Sequence, residues 1–367
     1  MDTDLISIAN SFQIEGEIDQ VKVLGEGYVN DTYIVTTKGN SPSYIMQRKN
    51  RRIFSSIPSM MENIRKVCLH MKKKVEIAGG DPLREAMTVI PSNDGKLYFL
   101  DDEKEYWSVT LFIEDTITYE SVDTAELAYA GGKGIGRFQS MLADLHEPLV
   151  DILPGFHDIR YRYKQWDEVL AKDPVGRKSG ILKEVEWIES RRREMLDFWQ
   201  LVENNTIPRR VTHNDTKINN ILFNKDGEVL CLIDLDTVLN STVLNDFGDA
   251  MRSYTNTGLD DDEDLDNVSM DIEIYKAFTR GYLEETHSFL SREELEYLAF
   301  SAKYITYEQV LRFLMDYIDG DKYYKTKYPE HNLVFASAQY KLLLSMEEKY
   351  EEMKEIVQWA TLNINDQ

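Results

Sequence analysis

Residues 211–223 read VTHNDTKINNILF, and residues 229–236 read VLCLIDLD. The apolar runs in these two stretches flank a turn that ends in Asp-Gly, which predicts a β-hairpin. Polar side chains stand at fixed distances along the segment, because Asn220 follows Asp215 by five residues and Asp234 follows it by nineteen. Carboxylate and amide oxygens are the ligands that Mg²⁺ takes in proteins. The segment therefore predicts a hairpin flanked by candidate metal ligands.

The spacing of His213, Asp215 and Asn220 reproduces the protein-kinase pattern H-R-D-x-x-x-x-N, in which the Asp orients the nucleophile and the Asn reaches a metal. Asp234 stands where the kinase DFG aspartate would stand, although Leu and Asp replace the Phe and Gly. Phosphoryl transfer needs such a carboxylate and oxygen ligands for Mg²⁺. The pattern therefore predicts Asp215 as the catalytic base. Asn220 and Asp234 are predicted to hold Mg²⁺, with Asp236 assisting. The alternative is that these side chains only cap helices and end a strand.

These motifs resemble those of the aminoglycoside phosphotransferase and choline kinase superfamily, which shares the protein-kinase fold. Within it, HNDTKINNIL, LNDFGDAMR and RFLMDYIDGDKYYKTKYPEHNL are most similar to the N-acetylhexosamine 1-kinases. The resemblance implies ATP and Mg²⁺ as cofactors. It also implies phosphorylation of the anomeric hydroxyl of N-acetylglucosamine or N-acetylgalactosamine, which yields the sugar 1-phosphate and ADP. Choline, homoserine or an aminoglycoside as acceptor remains an alternative.

The order of secondary structure predicts an α+β, two-lobed, protein-kinase-like fold. Residues 1–113 form an N-terminal nucleotide-binding lobe with an antiparallel sheet and one main helix, 57–78, which Pro58 opens. Residues 114–118 are the hinge, and residues 119–367 form a larger, mostly helical catalytic and substrate-binding lobe that includes the hairpin. The cleft between the lobes is the expected ligand site. Strands and turns are predicted in 21–27, 28–37, 43–50, 88–100 and 106–113, and the predicted later helices are 121–145, 183–202, 270–285, 292–319 and 332–358.

A glycine-containing turn lies between the first two predicted strands, in VLGEGYVNDTYIV. Gly25 and Gly27 would let backbone amides cover nucleotide phosphates. In kinases the next strand carries the phosphate-binding lysine, but Gln47 takes that position in SYIMQRKN. Either the Gln47 amide or Arg48 is expected to contact phosphate. Alternatively, the change from Lys to Gln marks a pseudokinase that binds nucleotide without turnover. Glu114, in the hinge, is expected beside the adenine.

Other polar residues near the predicted base have expected supporting roles. Lys217 would balance charge on the transferring phosphoryl group, or it is a solvated surface lysine. His213 is expected to hold the loop structurally. Asp246 and Asp249 lie in NDFGDAMR, which resembles a superfamily segment whose acid ties down the catalytic loop, and Asp249 matches that position. Glu62, on the main N-terminal helix, is a candidate partner for the basic residue of the neighbouring strand, or it is a solvated charge of the helix.

The acceptor site is predicted from a late segment, 312–331, that mixes tyrosines with aspartates. Sugars stack on aromatic rings and their hydroxyls bond carboxylates, although the end of an amphipathic helix gives the same composition. The resemblance to hexosamine kinases implies that this segment and the Asn30/Asp31 turn contact the sugar. Arg312 and Tyr317 are the expected contacts from the late helix.

Composition restricts the partners. The formal charge of −23 and the pI near 4.7 oppose binding to nucleic acid and to anionic membranes. Two distant cysteines, Cys68 and Cys231, each have apolar neighbours, which predicts buried free thiols in a reducing compartment. The N-terminal stretch MDTDLISIANSFQIEGEID is acidic and lacks a basic segment followed by an apolar run, so a cytoplasmic location is expected. The expected partners are ATP and a small sugar.

Three weaker patterns predict no site. GGKGIG at 131–136 misses G-x-G-x-x-G and is expected to be a glycine-containing helix. DDDEDLDN at 260–267 lacks the glycine and final glutamate of a calcium loop and is expected to be an exposed acidic loop. The histidines and cysteines show no zinc-binding spacing.

Overall fold

The computed structural model describes residues 4–25 and 29–364. These residues form two compact units. The first contains the described residues of Met1–Ile117, together with Asp144–Pro154 and Leu222–Leu239. The second contains Thr118–Ala143, Gly155–Ile221 and the described part of Asn240–Gln367.

An antiparallel sheet of six strands organises the first unit, as the sequence predicts. The six strands are β1 (Ile18–Val23), β2 (Asp31–Thr37), β3 (Tyr44–Lys49), β4 (Val89–Ile90), β5 (Phe99–Leu100) and β6 (Tyr106–Leu111). Across the sheet the order is β1-β2-β3-β6-β4, and β5 also pairs with β6. The predicted strand-and-turn segment 88–100 contains the two short strands β4 and β5.

The two faces of β3 have different neighbours. Tyr44 and Met46 are buried and pack, with Trp107, in the apolar cluster that also contains helix α1 (Leu5–Ala9). Successive side chains of a strand point to opposite faces of the sheet. Gln47 and Lys49 therefore share the face that turns away from this cluster.

Helix α2 (Ile57–Ile77) follows β3, close to the predicted 57–78. Ser56 caps its first turn by accepting a hydrogen bond from Ser59 N at 3.3 Å, and Pro58 lies in that turn, where its missing N–H is not needed. Glu62 pairs with Arg65 at 2.5 Å, one turn along the same helix. The expected pairing of Glu62 with a basic residue of β3 is therefore wrong.

The predicted hairpin is confirmed. Strands β8 (Ile221–Phe223) and β9 (Val229–Leu232) pair with each other, and Gly227 in their turn has φ 83°. Phe223 also exchanges backbone hydrogen bonds of 2.8 and 2.9 Å with Ile117. Residues 222–239 consequently belong to the first unit, whereas the sequence analysis places the hairpin in the helical lobe.

Helices dominate the second unit, and strands β7 (Arg210–Thr212) and β10 (Leu239–Ser241) form a small sheet. The long helix at 292–319 has the bounds that the sequence predicts. Two predicted helices, 183–202 and 332–358, are each divided in two. The helices are α3 (Ala125–Leu142), α4 (Ile159–Lys172), α5 (Leu182–Glu189), α6 (Arg192–Glu203), α7 (Val243–Tyr254), α8 (Ile272–Thr286), α9 (Arg292–Asp319), α10 (His331–Glu348) and α11 (Tyr350–Leu362).

The glycine cluster at 131–136 lies in α3, so the prediction of a helix is confirmed. An ideal Cβ on Gly132 would lie 2.3 Å from the carbonyl oxygen of Phe278 in α8. A Cβ on Gly281 of α8 would lie 2.2 Å from the carbonyl oxygen of Tyr129. These glycines allow α3 and α8 to pack with their backbones in contact.

The remaining predictions concern buried thiols, the acidic loop and membrane spans. Cys68 and Cys231 are buried and free, and burial raises the pKa of each thiol to about 12. The segment 260–267 is mostly exposed, as predicted, although Asp260 pairs with Arg252 at 3.3 Å. Within the described ranges, no helix has the length and apolar character needed to cross a membrane.

Candidate active site

A buried carboxylate holds the loop that follows β7. Asp246, in the first turn of α7, accepts hydrogen bonds from His213 N at 3.0 Å and from Asn214 N at 2.7 Å. Gln139 of α3 donates a third bond at 2.9 Å. Burial raises the pKa of Asp246 above its ordinary value, and the neighbouring His213 and these donors only partly offset that effect. The start of the 213–220 loop is thus fixed by α7 and α3.

Asp249, one turn further along α7, adds another anchor. Its Oδ2 accepts from Thr216 N at 2.9 Å, and its Oδ1 pairs with Arg252 at 3.2 Å. The resemblance implies Asp249 as the acid that holds this loop. In the structure both Asp246 and Asp249 accept hydrogen bonds from backbone N–H groups of the loop. The spacing of Asp246 and Asp249 could have predicted this shared role, because residues three apart lie on one face of a helix.

His213 has the structural role that the sequence predicts. Its ring is fully buried and lies edge-on to Phe138, with 5.7 Å between ring centroids. Its Nδ1 accepts a hydrogen bond from Asp215 N at 3.3 Å. With the two acids of α7, this contact gives each of the four consecutive N–H groups from 213 to 216 an acceptor.

Asp215 projects from the loop with its side chain 31% exposed. Oδ2 accepts from Asn220 Nδ2 at 3.0 Å, and Oδ1 lies 3.2 Å from Lys217 Nζ. Burial favours the neutral acid, but Lys217, His213 and Asn220 together hold the pKa of Asp215 below its ordinary value. The carboxylate is therefore ionised at neutral pH and reachable by a hydroxyl group.

The structure brings together three predicted residues, Asp215, Lys217 and Asn220. The nearby Asp215 raises the pKa of Lys217 above its ordinary value. Burial opposes this effect, and the more distant Asp249 and Asp260 add to it. Asn220 directs Nδ2 to the backbone oxygen of Asp215 at 2.9 Å as well as to its carboxylate. No hydrogen bond from a described residue reaches Asn220 Oδ1, so this oxygen is available to a metal ion.

Asp234 and Asp236 follow β9 in the first unit and differ in their surroundings. Asp234 is half-buried and has a left-handed backbone, with φ 58°. Asp236 is 5% exposed, and Lys49 Nζ lies 2.7 and 2.8 Å from its two oxygens. Asn30 Nδ2 donates a further bond to Asp236 at 2.7 Å. Because both oxygens already have donors, the structure places Asp236 as the partner of Lys49 rather than as an open metal ligand.

Asn30 and Asp31, predicted to touch substrate, have partners within the first unit. Asn30 is 6% exposed, and its Oδ1 accepts from Asn50 N at 3.1 Å while its amide binds Asp236. Asp31 pairs with Arg48 on the exposed side of β2 and β3, with 2.8 Å between Oδ2 and Arg48 Nε. Asn30 therefore positions Asp236, and Arg48 is turned away from the face that Gln47 and Lys49 share.

Gln47 occupies the position where the sequence pattern expects lysine. Its Oε1 accepts from Lys49 Nζ at 2.6 Å, and its Nε2 donates to Thr32 Oγ1 at 3.3 Å. Lys49 itself is only 3% exposed. Sequence spacing does not predict a role for Lys49, because its partner, Asp236, is 187 residues away along the chain.

Two other residues that are predicted to contact the nucleotide, Gly25 and Glu114, are among the described residues. Gly25 has φ 71°, which favours glycine, and a Cβ there would meet no atom of the described residues within 4 Å. Gly27 lies outside the described residues. Glu114 is exposed, and its carbonyl oxygen accepts from Arg84 at 3.1 Å. Its neighbour Ile113 packs in an apolar cluster with Leu222, Cys231, Met87, Leu230 and Ile233.

Arg312 of α9 lies among aromatic rings in the second unit. Its guanidinium carbon is 5.7 Å from the ring centroids of Phe156 and Tyr323 and 5.8 Å from that of Tyr324. It forms no ion pair of 4.0 Å or less with any described carboxylate. Burial opposes its charge, yet Tyr324, Tyr323 and Glu308 raise the pKa of Arg312 above its ordinary value. Arg312 thus presents a charged, partly desolvated donor group.

A buried pair connects this region to the loop of Asp215. His157 follows Phe156 and directs Nδ1 to Glu308 Oε2 at 2.6 Å. Its Nε2 lies 3.5 Å from the carbonyl oxygen of Asn214, the residue before Asp215. The aromatic surroundings of Arg312 therefore adjoin the loop that carries Asp215.

Tyr317, the predicted aromatic contact, is covered. The guanidinium carbon of Arg177 lies 4.6 Å from its ring centroid, and Arg177 also pairs with Asp321 at 2.6 Å. Tyr323 is instead 57% exposed, and its backbone N–H binds Asp316 at 2.8 Å. Tyr323 and Tyr328 are therefore the exposed rings of the segment, Tyr323 the more so, and Asp316 shapes the turn after α9.

Comparison with known proteins identifies the family. The model of the phosphotransferase enzyme family, APH, matches residues 20–290. The chain belongs to this phosphotransferase enzyme family. It is thus a small-molecule phosphotransferase of the aminoglycoside phosphotransferase and choline kinase superfamily.

Solved structures with the same fold include three phosphotransferases. The aminoglycoside phosphotransferase from Alicyclobacillus acidocaldarius is 12% identical, with a TM-score of 0.60 over 96% of this chain and 98% of that chain. The microcompartment-associated aminopropanol kinase is 14% identical, with a TM-score of 0.62 over 95% and 97%. Spectinomycin phosphotransferase in complex with ADP and spectinomycin is 14% identical, with a TM-score of 0.54 over 95% and 98%. At these identities the likeness shows the fold, and the two-part α+β prediction is confirmed.

Proposed function

We propose that this phosphotransferase is an ATP- and Mg²⁺-dependent kinase of N-acetylhexosamines that phosphorylates the anomeric hydroxyl of N-acetylglucosamine or N-acetylgalactosamine. The observation that carries the choice of acceptor is Arg312, a guanidinium flanked by aromatic rings and without an ion-pair partner among the described carboxylates. Aromatic rings and a strong donor suit the ring face and oxygens of a sugar.

Asp215 would act on the acceptor. Its ionised carboxylate accepts a hydrogen bond from the anomeric hydroxyl and aims that oxygen at the γ-phosphorus of ATP. The new O–P bond forms as the bond to the β–γ bridging oxygen breaks, ADP leaves, and the hydroxyl proton passes to Asp215 and then to water. Lys217, 3.2 Å from Asp215, balances charge on the transferring group.

An amide oxygen and a carboxylate are ligands that magnesium takes, and phosphate and water would complete its coordination. Asn220 Oδ1 and the carboxylate of Asp234 would hold it, and two protein ligands are typical because Mg²⁺ retains several waters. Among the described residues there is no cluster of three or more His, Cys, Asp or Glu side chains suited to a metal. When bound, Mg²⁺ would neutralise charge on the phosphate oxygens.

The first unit would bind the nucleotide. Gly25 would let phosphate approach the backbone, since it has no side chain and since no atom of the described part of the chain lies within 4 Å of the position a Cβ would take. Met87, Leu230 and Ile233, the partly buried members of the apolar cluster that contains Ile113, would offer a surface for the adenine ring.

Arg312 also argues against cationic acceptors. Two like charges 4 Å apart near a protein surface repel by about 4 kcal/mol. Choline and aminoglycosides would bring such charges near a guanidinium that no described carboxylate neutralises through an ion pair. The net charge of −23 attracts cations to the protein as a whole, but the local group determines what the pocket accepts.

ADP release is the test of this function. The purified protein, with ATP and Mg²⁺, is assayed with N-acetylglucosamine, N-acetylgalactosamine, glucose, choline, homoserine and kanamycin. Stimulation by either N-acetylhexosamine, with product phosphorylated at the anomeric oxygen, supports the proposal. Stimulation by another acceptor alone refutes the sugar assignment. ATP binding without turnover on any acceptor indicates the pseudokinase alternative.

The role of Arg312 gives a separate prediction. Arg312→Met is expected to raise KM for the N-acetylhexosamine about 10- to 100-fold, as expected for loss of a hydrogen bond from a charged donor. KM for ATP should change little, because the proposed nucleotide contacts lie elsewhere. Steady-state kinetics with each substrate varied in turn measure both values.

Arg160→Met is a suitable control, because Arg160 is a half-exposed arginine that pairs with Glu203 at 2.9 Å. Tyr323→Ala should resemble Arg312→Met, whereas Tyr317→Phe should resemble wild type. Equal increases in both KM values for Arg312→Met would point to a general disturbance and contradict the acceptor assignment.

A further inference from the structure

We infer that Lys49 is the phosphate-binding lysine of this enzyme and that Asp236 is its counter-ion. The inference rests on the proposed function and assigns a residue within the same nucleotide site. Lys49 is 3% exposed, and its Nζ lies 2.7 and 2.8 Å from the Asp236 oxygens and 2.6 Å from Gln47 Oε1. A lysine is rarely buried to this extent unless its charge is paired.

The pleat of β3 explains how Lys49 replaces a lysine at position 47. Side chains two residues apart on a strand share a face, whereas those one residue apart lie on opposite faces. A shift of two residues therefore keeps an ammonium on the same face of the sheet. Arg48 fails this condition and pairs with Asp31 instead. Gln47 orients the ammonium by accepting one of its hydrogen bonds.

Three elements of the proposed nucleotide site meet at this pair. Asn30, which follows the Gly25 turn, binds Asp236 at 2.7 Å and Asn50 N at 3.1 Å. Asp236 is two residues from Asp234, so their Cα atoms are no more than about 7 Å apart. A phosphate bound beside Asp234 would thus lie next to the segment that holds the Lys49 ammonium.

Asp236 has a defined role in this arrangement. An unpaired ammonium in a buried position is strongly destabilising. Asp236 neutralises Lys49 when no phosphate is bound, and its second contact, with Asn30, keeps the carboxylate in place when the ammonium shares its hydrogen bonds with phosphate. Asp236 is therefore a positioning residue for Lys49.

Calorimetric titration with ADP and with adenosine, with and without Mg²⁺, tests the inference. Lys49→Met is expected to weaken ADP binding about tenfold or more, because a charged donor to phosphate is lost. Adenosine binding should be unchanged, because adenosine has no phosphate. Lys49→Arg should recover part of the ADP affinity. Arg51→Met is the matched control, since Arg51 is a basic residue just beyond β3 that pairs with Glu105 at 3.2 Å and is half-exposed.

The outcomes separate the inference from the proposed function. If wild type binds no ADP, the proposed function fails. If wild type binds ADP and Lys49→Met binds it equally well, the inference alone is overturned, and so it is if only Arg48→Met weakens binding. Equal loss of ADP and adenosine affinity would assign Lys49 a purely structural role. Should Lys49→Met fail to fold, the double variant Lys49→Met/Asp236→Asn removes both charges, keeps an oxygen for Asn30 and serves for the same titrations.

Discussion

Asp215→Asn is expected to lower kcat about a thousandfold, within the range that general acid–base residues contribute. The amide has nearly the same shape as the carboxylate but lacks its charge, so it cannot orient and receive the hydroxyl proton. The backbone of the loop should persist, because its N–H groups bind Asp246, Asp249 and the His213 ring. ADP affinity should therefore change little. Single-turnover kinetics and calorimetric titration with ADP measure the two quantities.

A surface aspartate is the control for this substitution. Asp197→Asn alters a side chain that is 68% exposed in α6 and should leave both values at wild-type level. If Asp215→Asn retained most of its turnover, Asp215 would not be the group that orients the acceptor. If it lost ADP affinity in parallel with turnover, the loss of activity would reflect a disturbed fold.

The parts of the fold that sequence predicts well are those with local signals. Helix α9 is predicted from Arg292 to Asp319 because Ser291 and Glu294 form a capping box at its start and Gly320, with φ 93°, ends it. The hairpin follows from two apolar runs around Asp-Gly. Helix α7 is not predicted because four of its buried side chains, Asn245, Asp246, Asp249 and Arg252, are polar or charged, and such residues usually indicate an exposed segment.

The same distinction applies to the site. Asp215, Lys217 and Asn220 lie within six residues of sequence, so their spacing already predicts that they meet. Lys49 and Asp236 meet only in the tertiary fold, and the local sequence pattern predicts Gln47 or Arg48 as the phosphate contact instead. Tyr317 looked as suitable for stacking as Tyr323 because the residue that covers it, Arg177, is 140 residues away. Spacing identifies residues that act together locally, and it cannot show which of them are already occupied by distant partners.

Glu308→Gln tests the buried pair behind the loop and is expected to lower the free energy of unfolding by about 3–5 kcal/mol, the usual cost of removing one partner of a buried ion pair. Glu308 has no exposed surface and lies 2.6 Å from His157 and 3.1 Å from Arg162. Glutamine leaves these two groups without their counter-charge. Urea unfolding at neutral pH measures the difference. Glu203→Gln is the control, because Glu203 pairs with Arg160 at 2.9 Å on the surface, where Glu203 is 36% exposed, and its loss should cost no more than about 1 kcal/mol.

The pH dependence of stability gives this prediction a second measurement. Burial would raise the pKa of Glu308, but His157, Arg162 and Arg312 outweigh it and hold the pKa well below its ordinary value. A carboxyl whose pKa is lower in the folded state stabilises the protein fully above its unfolded pKa, about 4.3 for glutamate. That stabilisation is lost as the pH falls from there through the folded pKa, because the unfolded chain binds the proton more readily. Wild type should therefore lose stability more steeply below about pH 4 than Glu308→Gln does. If the stability of the two proteins fell equally with decreasing pH, Glu308 would not be held ionised by its cationic neighbours. The connection from α9 through His157 to the loop of Asp215 would then lack its electrostatic basis.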